Sequence, residues 1–380
     1  MKLTCALVLA LLLAAVQLPL LPASTSAGAC DSGAGEWLRA PTSDPGPYFD
    51  GMACSLELYG GDLGCEVAKT HGRDFGAWRW KSNAGGCSLP DLRDPGGAVR
   101  RAAQGKAVLV VGDSLPRNFV AALACLMHAR FPDFEPKYRD GIKDSKHFSG
   151  FSVPSINMTV DYMRSPYLVQ PRGKLDQVYH DWANRVVDYD AVVLNAGHWL
   201  GKLSYSSPEG APGDVEARGP GEAVTAIIAA VWDALRDYKG LALWKTYAYS
   251  HYNNGDWRSG KCHFEEPFHS SVASPGMDPL AWEVHTAEMA ALKRTCLQPL
   301  DITTMSLLRA DAHPGDAVRT WLPEARASDC SHWCLTGSMD PWLELFFLKL
   351  EAGRSRAHRR LIGKPPPAWS HHNAAQARGC

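Results

Sequence analysis

Ser114, Asp329 and His332 are the side chains whose types and spacing could do chemistry together. Ser114 stands in Gly112-Asp113-Ser114-Leu115-Pro116-Arg117-Asn118, after the apolar run Val108–Val111. A β-branched run reads as a buried strand. Pro116 suits a first helical turn, where its missing N–H is no loss. Phe119, Val120, Leu123 and Leu126 continue at helical spacing. A serine hydroxyl so placed faces backbone N–H groups and the positive end of a helix dipole. It can attack a carbonyl while those donors hold the oxyanion. Taken alone, Gly-Asp-Ser also fits a plain turn and cap.

A nucleophilic serine needs a base, and histidine is the side chain suited to neutral pH. Ser328-Asp329-Cys330-Ser331-His332-Trp333-Cys334 offers His332, with Asp329 three residues before it to set the imidazole tautomer. Two other readings stay open for this segment. One is a zinc site, Cys330–His332–Cys334, with gaps tighter than the usual frameworks. The other is an Asp–His pair that only caps the last helix. Asn195-Ala196-Gly197 supplies an amide and an N–H after a strand, as an oxyanion hole requires, or else a simple Gly turn. His198 reads as structural, and Lys245 and His251 as wall residues at most.

Strands are expected at 107–111, 191–194, 241–247 and 302–305. Helices are expected to about Arg130, around Leu175–Val187, through Val224–Leu235, from Asp278-Pro279 to about Arg294, and at Trp342–Leu350. Alternation of this kind predicts an α/β fold with a parallel sheet covered on both faces. Its chemistry gathers at the carboxyl ends of the strands.

The 380 residues, 46% hydrophobic and 21% charged, suit one large domain with an appendage. A net charge of −1 gives no electrostatic footprint for nucleic acid. Residues 1–27 hold the uncharged run Leu3–Leu21 and an Ala/Ser-rich exit, a signal peptide or an uncleaved signal anchor. Either sends the chain into an oxidising lumen, where cysteines serve as disulfide partners rather than metal ligands; of the 11, Cys5 lies in the leader and ten remain beyond it. Residues 28–104 are Gly-, Cys- and Trp-rich and read as a loop-rich stapled region packed on a catalytic domain at 105–352. Residues 353–380 read as a disordered tail. Asn157-Met158-Thr159 is a glycosylation sequon. Arg73, Trp78, Arg79 and Trp80 could line a sugar surface, or form a cation–π stack in the core.

Together these residues resemble the trichome-birefringence-like, or PC-esterase, family of plant polysaccharide O-acetyltransferases. The marks run through Cys30-Asp31, Gly35-x-Trp37, Gly72-Arg73, Trp78-Arg79-Trp80, Cys87-x-Leu89-Pro90, Gly112-Asp113-Ser114, Asn195-x-Gly197-His198-Trp199, Leu307-x-Arg309-x-Asp311-Ala312-His313-Pro314 and Asp329-Cys330-Ser331-His332-Trp333-Cys334-Leu335. The resemblance implies an SGNH/GDSL-hydrolase-like three-layer sandwich and an acetyl-enzyme on Ser114, with His332 as base and Asp329 as its orienter. It places Asn195, Gly197, Arg117 and Asn118 around the oxyanion or acetyl group. Arg73, Trp78, Arg79, Trp80, His198 and Trp199 fall on the acceptor side. It implies disulfides Cys30–Cys87, Cys54–Cys125, Cys65–Cys334 and Cys262–Cys330, leaving Cys296 and Cys380 over.

The implied partner is a xylan-, mannan- or pectin-like cell-wall polysaccharide in the Golgi lumen, with no bound cofactor or metal. The acetyl donor is unnamed, an acetyl-CoA-derived group among the candidates. Membrane anchoring through residues 1–27 is one outcome. Two rival functions remain: an esterase that removes glycan acetyl groups, and a wall-glycan binder without catalysis. Lys245-Thr246-Tyr247-Ala248-Tyr249-Ser250-His251 stands where the family has Arg-Thr-x-Ser-Pro-x-His. Leu335-Thr336-Gly337 and Asp340-Pro341-Trp342-Leu343-Glu344 also depart from its pattern.

Overall fold

The computed structural model describes residues 33–361 apart from 61–62, 64, 66–73, 84–86, 95–96, 145, 207–213, 254–259, 263, 269–278 and 316–327; of 354–361 it describes the backbone alone. The segment 1–27, Cys30, Arg73 and residues 362–380 therefore lie outside the described residues.

The strands are β1 (Gly35–Arg39), β2 (Trp78–Ser82), β3 (Ala107–Gly112), β4 (Glu135–Tyr138), β5 (Phe148–Val153), β6 (Met158–Arg164), β7 (Ala191–Leu194), β8 (Tyr205–Ser206), β9 (Val215–Glu216), β10 (Leu241–Lys245) and β11 (Gln298–Leu300). The longer helices are α1 (Gly51–Tyr59), α2 (Ala98–Ala103), α3 (Ser114–Arg130), α4 (Pro220–Ala234), α5 (Pro279–Leu292) and α6 (Asp340–Leu361). The main sheet has seven strands in the order β11-β10-β7-β3-β6-β5-β4. β11, β10, β7, β3 and β6 run parallel, and β5 and β4 extend the β6 edge antiparallel.

Successive side chains on a strand point to opposite faces, and β3 shows it. Val108 and Val110 join a core with Phe119 of α3 and Trp342 and Phe346 of α6. Leu109 and Val111 join another with Val224, Ile227 and Ile228 of α4 and Val284 of α5. Both faces are thus buried under helices, which is why the strand sequence is continuously apolar. The result is the expected three-layer α/β/α sandwich.

The N-terminal region shares this core. Tyr48, Phe49, Leu58, Tyr59 and Phe75 belong to the same cluster as Val108 and Phe346. Beside the β1–β2 ribbon a buried ion pair joins Arg309 Nε and Nη2 to Asp311, at 2.9 and 3.0 Å. The Arg309 guanidinium also lies 4.5 Å from the Trp37 ring. Cys54–Cys125, Cys65–Cys334 and Cys262–Cys330 are all formed. Cys87 is disulfide-bonded too, while Cys30 lies outside the described residues. The leftover status of Cys296 is overturned, since it too is in a disulfide.

Three expected elements differ. The strand at 302–305 is a short helix, Thr303–Leu307, and the strand is β11 just before it. Asp301 Oδ1 accepts from Thr303 N and turns the chain there. The helix over 175–187 shrinks to His180–Ala183. Leu175 has a left-handed φ of 58°, and the apolar spacing reflects Leu175, Trp182 and Val186 reaching the core from three separate short pieces of chain. The tail begins later than 353, because α6 runs on to Leu361. A Cβ at Gly353 would meet Leu241 at 3.2 Å, so that glycine serves close packing against β10 rather than a helix stop.

Candidate active site

β3 ends at Gly112, where a Cβ would fall 2.8 Å from Asn195 O and 2.6 Å from the Pro116 ring. Only glycine fits between the two strand ends. Asp113 then caps α3, its Oδ1 accepting from Leu115 N at 2.8 Å. The Tyr162 hydroxyl donates to Asp113 O at 2.6 Å and fixes the turn from the neighbouring strand. Ser114 is thus the first residue of a 17-residue helix. It is half-buried, whereas Asp113 before it and Leu115 after it are buried. A hydroxyl on that first turn feels the partial positive charge of the helix N-terminus.

The segment 329–334 is tied down from several sides. Asp329 exchanges backbone hydrogen bonds with Gly315, both 2.9 Å, and Cys334 N donates to Ala312 O at 3.0 Å. Disulfides tether Cys330 to Cys262 and Cys334 to Cys65. Neither cysteine therefore offers a thiolate, which removes the zinc reading. Asp329 Oδ2 lies 2.9 Å from His332 Nδ1, and its Oδ1 accepts from His332 N at 3.0 Å and Ser331 N at 3.2 Å. Burial works to raise the Asp329 pKa. The His332 charge and these hydrogen bonds outweigh it and hold the carboxyl down at about 2. Asp329 is therefore held as an anion, with its oxygens engaged by Ser331 and His332.

Asn118 joins the two parts. Its Oδ1 accepts from Trp333 N at 2.7 Å and its Nδ2 donates to Trp333 O at 3.2 Å. Asn118 is 1% exposed. It sits one helical turn after Ser114, on the same face of α3. The amide thus fastens the turn bearing Ser114 to the residue that follows His332.

The other expected site residues take varied places. His198 stacks on Tyr247 at 4.1 Å, bonds to Ala248 O through Nε2, and has Nδ1 3.7 Å from Asp113 Oδ2. Burial pushes its pKa down to about 4, and it interacts electrostatically with His332. Asn195 is fully buried, and its Nδ2 donates to Lys245 O at 2.8 Å, so that donor is already engaged. Gly197 packs against the Tyr247 ring. Arg117 is half-buried in the first turn of α3 and close enough to Tyr162 for its charge to matter there. Trp199 is half-buried beyond β7, with Lys202 Nζ 3.7 Å and Arg164 5.3 Å from its ring.

On the β1–β2 ribbon, Trp78 is buried with Trp37 and Leu308. Arg79 is ion-paired to Asp44 and bonds to Gly76 O and Trp78 O. Trp80 packs edge-on against Trp37 at 5.7 Å. The Trp78 indole is thus covered, while Arg79 and Trp80 are half-buried. Asn157 is exposed at the turn between β5 and β6. Among the described residues no group of three metal-ligating side chains occurs. No helix among them is long and apolar enough to cross a membrane.

Sequence reasoning did not single out the contact between His251 and His313. Their rings meet at 2.7 Å, and His313 Nδ1 lies 2.7 Å from His332 O. His313 stands in a quoted family segment, but nothing in its spacing tells which backbone group it reaches.

Residues 98–349 match PC-Esterase, described as the GDSL/SGNH-like acyl-esterase family found in Pmr5 and Cas1p. The chain is 31% identical over 353 residues to xyloglucan O-acetyltransferase 1 of Arabidopsis thaliana, covering 83% of this chain and 79% of that protein. It is 30% identical to xyloglucan O-acetyltransferase 1 of Populus trichocarpa, covering 83% and 80%. It is 27% identical to protein trichome birefringence-like 12 of Arabidopsis thaliana, covering 83% and 84%. With its sandwich fold, its capped serine turn and this extent of similarity, the chain belongs to the PC-esterase family, among the trichome-birefringence-like proteins.

Proposed function

We propose that the chain is a polysaccharide O-acetyltransferase that works through an acetyl-serine at Ser114. The observation that carries this reading is the Asp329–His332 pair fastened through Trp333 and Asn118 to the turn of α3 bearing Ser114. The names of the relatives supply the chemical class. In the first half-reaction the Ser114 proton passes to His332 Nε2 as Oγ attacks the donor's acetyl carbonyl. The leaving group takes that proton as its bond to the acetyl breaks. In the second, a sugar hydroxyl gives its proton to His332 and attacks the acetyl ester. Ser114 Oγ leaves and recovers the proton. Asp329 holds the imidazolium at both stages. The N–H groups at the start of α3 serve the oxyanion, aided by Arg117.

The acceptor is a cell-wall glycan, with a xyloglucan-like backbone the first to test and xylan-, mannan- and pectin-like chains after it. Trp199, past the carboxyl end of β7, with Arg164, the last residue of β6, beside it, offers an indole face and a guanidinium for a sugar. The donor is an acetyl ester or thioester of low-molecular or protein-bound form. The disulfides suit a lumenal setting, into which residues 1–27 would direct the chain, with Asn157 as glycan acceptor.

The test loads the protein with acetyl from an artificial ester and adds xyloglucan, xylan, mannan or pectin oligosaccharides. Acetylated oligosaccharide is expected. Free acetate alone, whatever glycan is present, would favour hydrolysis, which the acyl-esterase description of the family also accommodates. Glycan binding without turnover would leave the binding-protein reading.

A further inference from the structure

His251 and His313 are both buried, at 2% and 0% exposure, and they form one chain of hydrogen bonds. His251 Nε2 lies 2.8 Å from Leu307 O, its Nδ1 lies 2.7 Å from His313 Nε2, and His313 Nδ1 lies 2.7 Å from His332 O. Each end of the chain is a carbonyl, which only accepts. Three contacts between two carbonyl ends and two rings need three protons. Two neutral imidazoles supply two. We propose that the pair holds three protons and one positive charge, and that this charge state positions the loop carrying His332.

The surroundings suit a buried cation. The Trp333 ring centroid is 4.4 Å from that of His313, and Phe264 and Phe268 lie 6.4 and 5.9 Å from His251. Asp311 acts on His251 from the 307–313 segment and is itself paired with Arg309. Tyr249 faces His251 from its own segment, and the Asp329–His332 pair lies on the loop being held. Glu265 and Glu266, between Phe264 and Phe268, are exposed. Burial pushes the His251 pKa down to about 4, so the third, shared proton is the one the pair gives up first. Loss of that proton forces the chain to give up one of its three contacts. The contact to His332 O is the one that ends on the catalytic loop.

The effect on turnover rests on the function proposed above, whereas the proton count does not. Nitrogen-15 histidine side-chain spectra of the whole protein, from about pH 5 to 8, count the protonated ring nitrogens directly. Three protonated nitrogens and one bare nitrogen, giving way to two and two in a single titration, is the expected result. Two and two throughout would overturn the proposal, with or without acetyl transfer. In kcat, the wild type should lose activity on the alkaline side as the pair discharges. His251→Leu should lose that alkaline limb, because a neutral His313 can then keep its Nδ1–H on His332 O. Persistence of the limb in His251→Leu would overturn the positioning role. If that variant does not fold, the nitrogen count decides.

Discussion

Asn118→Ala tests how the serine and the base are held in register. The substitution removes both hydrogen bonds from Asn118 to the backbone of Trp333, at 2.7 and 3.2 Å, in a site 1% exposed. Water has little access to replace them. Each buried partner left unsatisfied costs about 1–3 kcal/mol, so the two together should cost about 2–6 kcal/mol of stability. With an unfolding entropy of ~2.1 cal/mol/K per residue, a chain of this size should melt roughly 3–8 °C lower. The catalytic effect should be larger than the stability effect suggests. A displacement of about 1 Å between reacting groups can lower a rate by ~100-fold. The assay is denaturant and thermal unfolding beside acetyl release from an artificial ester, with kcat and KM separated. A fall in kcat with little change in KM is expected. Asn118→Asp keeps the acceptor for Trp333 N, loses the donor to Trp333 O and buries a charge, so it should not restore the rate. An Asn118→Ala protein with wild-type Tm and kcat within about twofold would refute the reasoning.

Three further outcomes follow from the same geometry. Asp329→Asn should lower kcat by on the order of 10³–10⁴-fold, since the carboxylate that sets the His332 tautomer is lost. The Asp329 pKa is depressed in the folded state, so its contribution to stability is present above pH 3.8 and is lost as pH falls through about 2; acid melts of the variant should lack that dependence. Cys262→Ala with Cys330→Ala opens a loop of sequence separation 68. It should cost about 2–5 kcal/mol in denaturant unfolding and depress kcat as the segment bearing Asp329 and His332 loosens. Glu344 is half-buried and accepts from the Tyr48 hydroxyl, and desolvation raises its pKa to about 8. A raised carboxyl favours the fold below its ordinary pKa and loses that contribution as pH rises towards about 8. Melting curves should therefore show the wild type weakening relative to Glu344→Gln between about pH 5 and 8, and parallel curves would contradict this.

What the sequence disclosed, and what it did not, divides along physical lines. The strand before Ser114 was legible because a buried parallel strand has only apolar positions. The serine turn was legible because Gly112, Asp113 and Pro116 each meet a local backbone demand. Asp329 and His332 lie three residues apart, so their pairing is local as well. The three described disulfides were legible through family resemblance, and not through spacing. The sugar-facing expectation for Trp78 failed because an indole in a sequence does not show which partners cover it; Trp37 and Leu308 do so here. The tail was expected from residue 353, but Gly353 is helical and meets Leu241, more than a hundred residues away in sequence. The engagement of Asn195 Nδ2 by Lys245 O and the His251–His313 chain depend on contacts between distant segments. No periodicity reports such contacts.

The most direct test of the account is to trap the protein with an acetyl donor and locate the acetyl group by peptide mass spectrometry. The account predicts one acetyl ester on Ser114, absent in Ser114→Ala and removed when acceptor oligosaccharide is added. Acetyl found on another side chain, or turnover that survives Ser114→Ala, would contradict it.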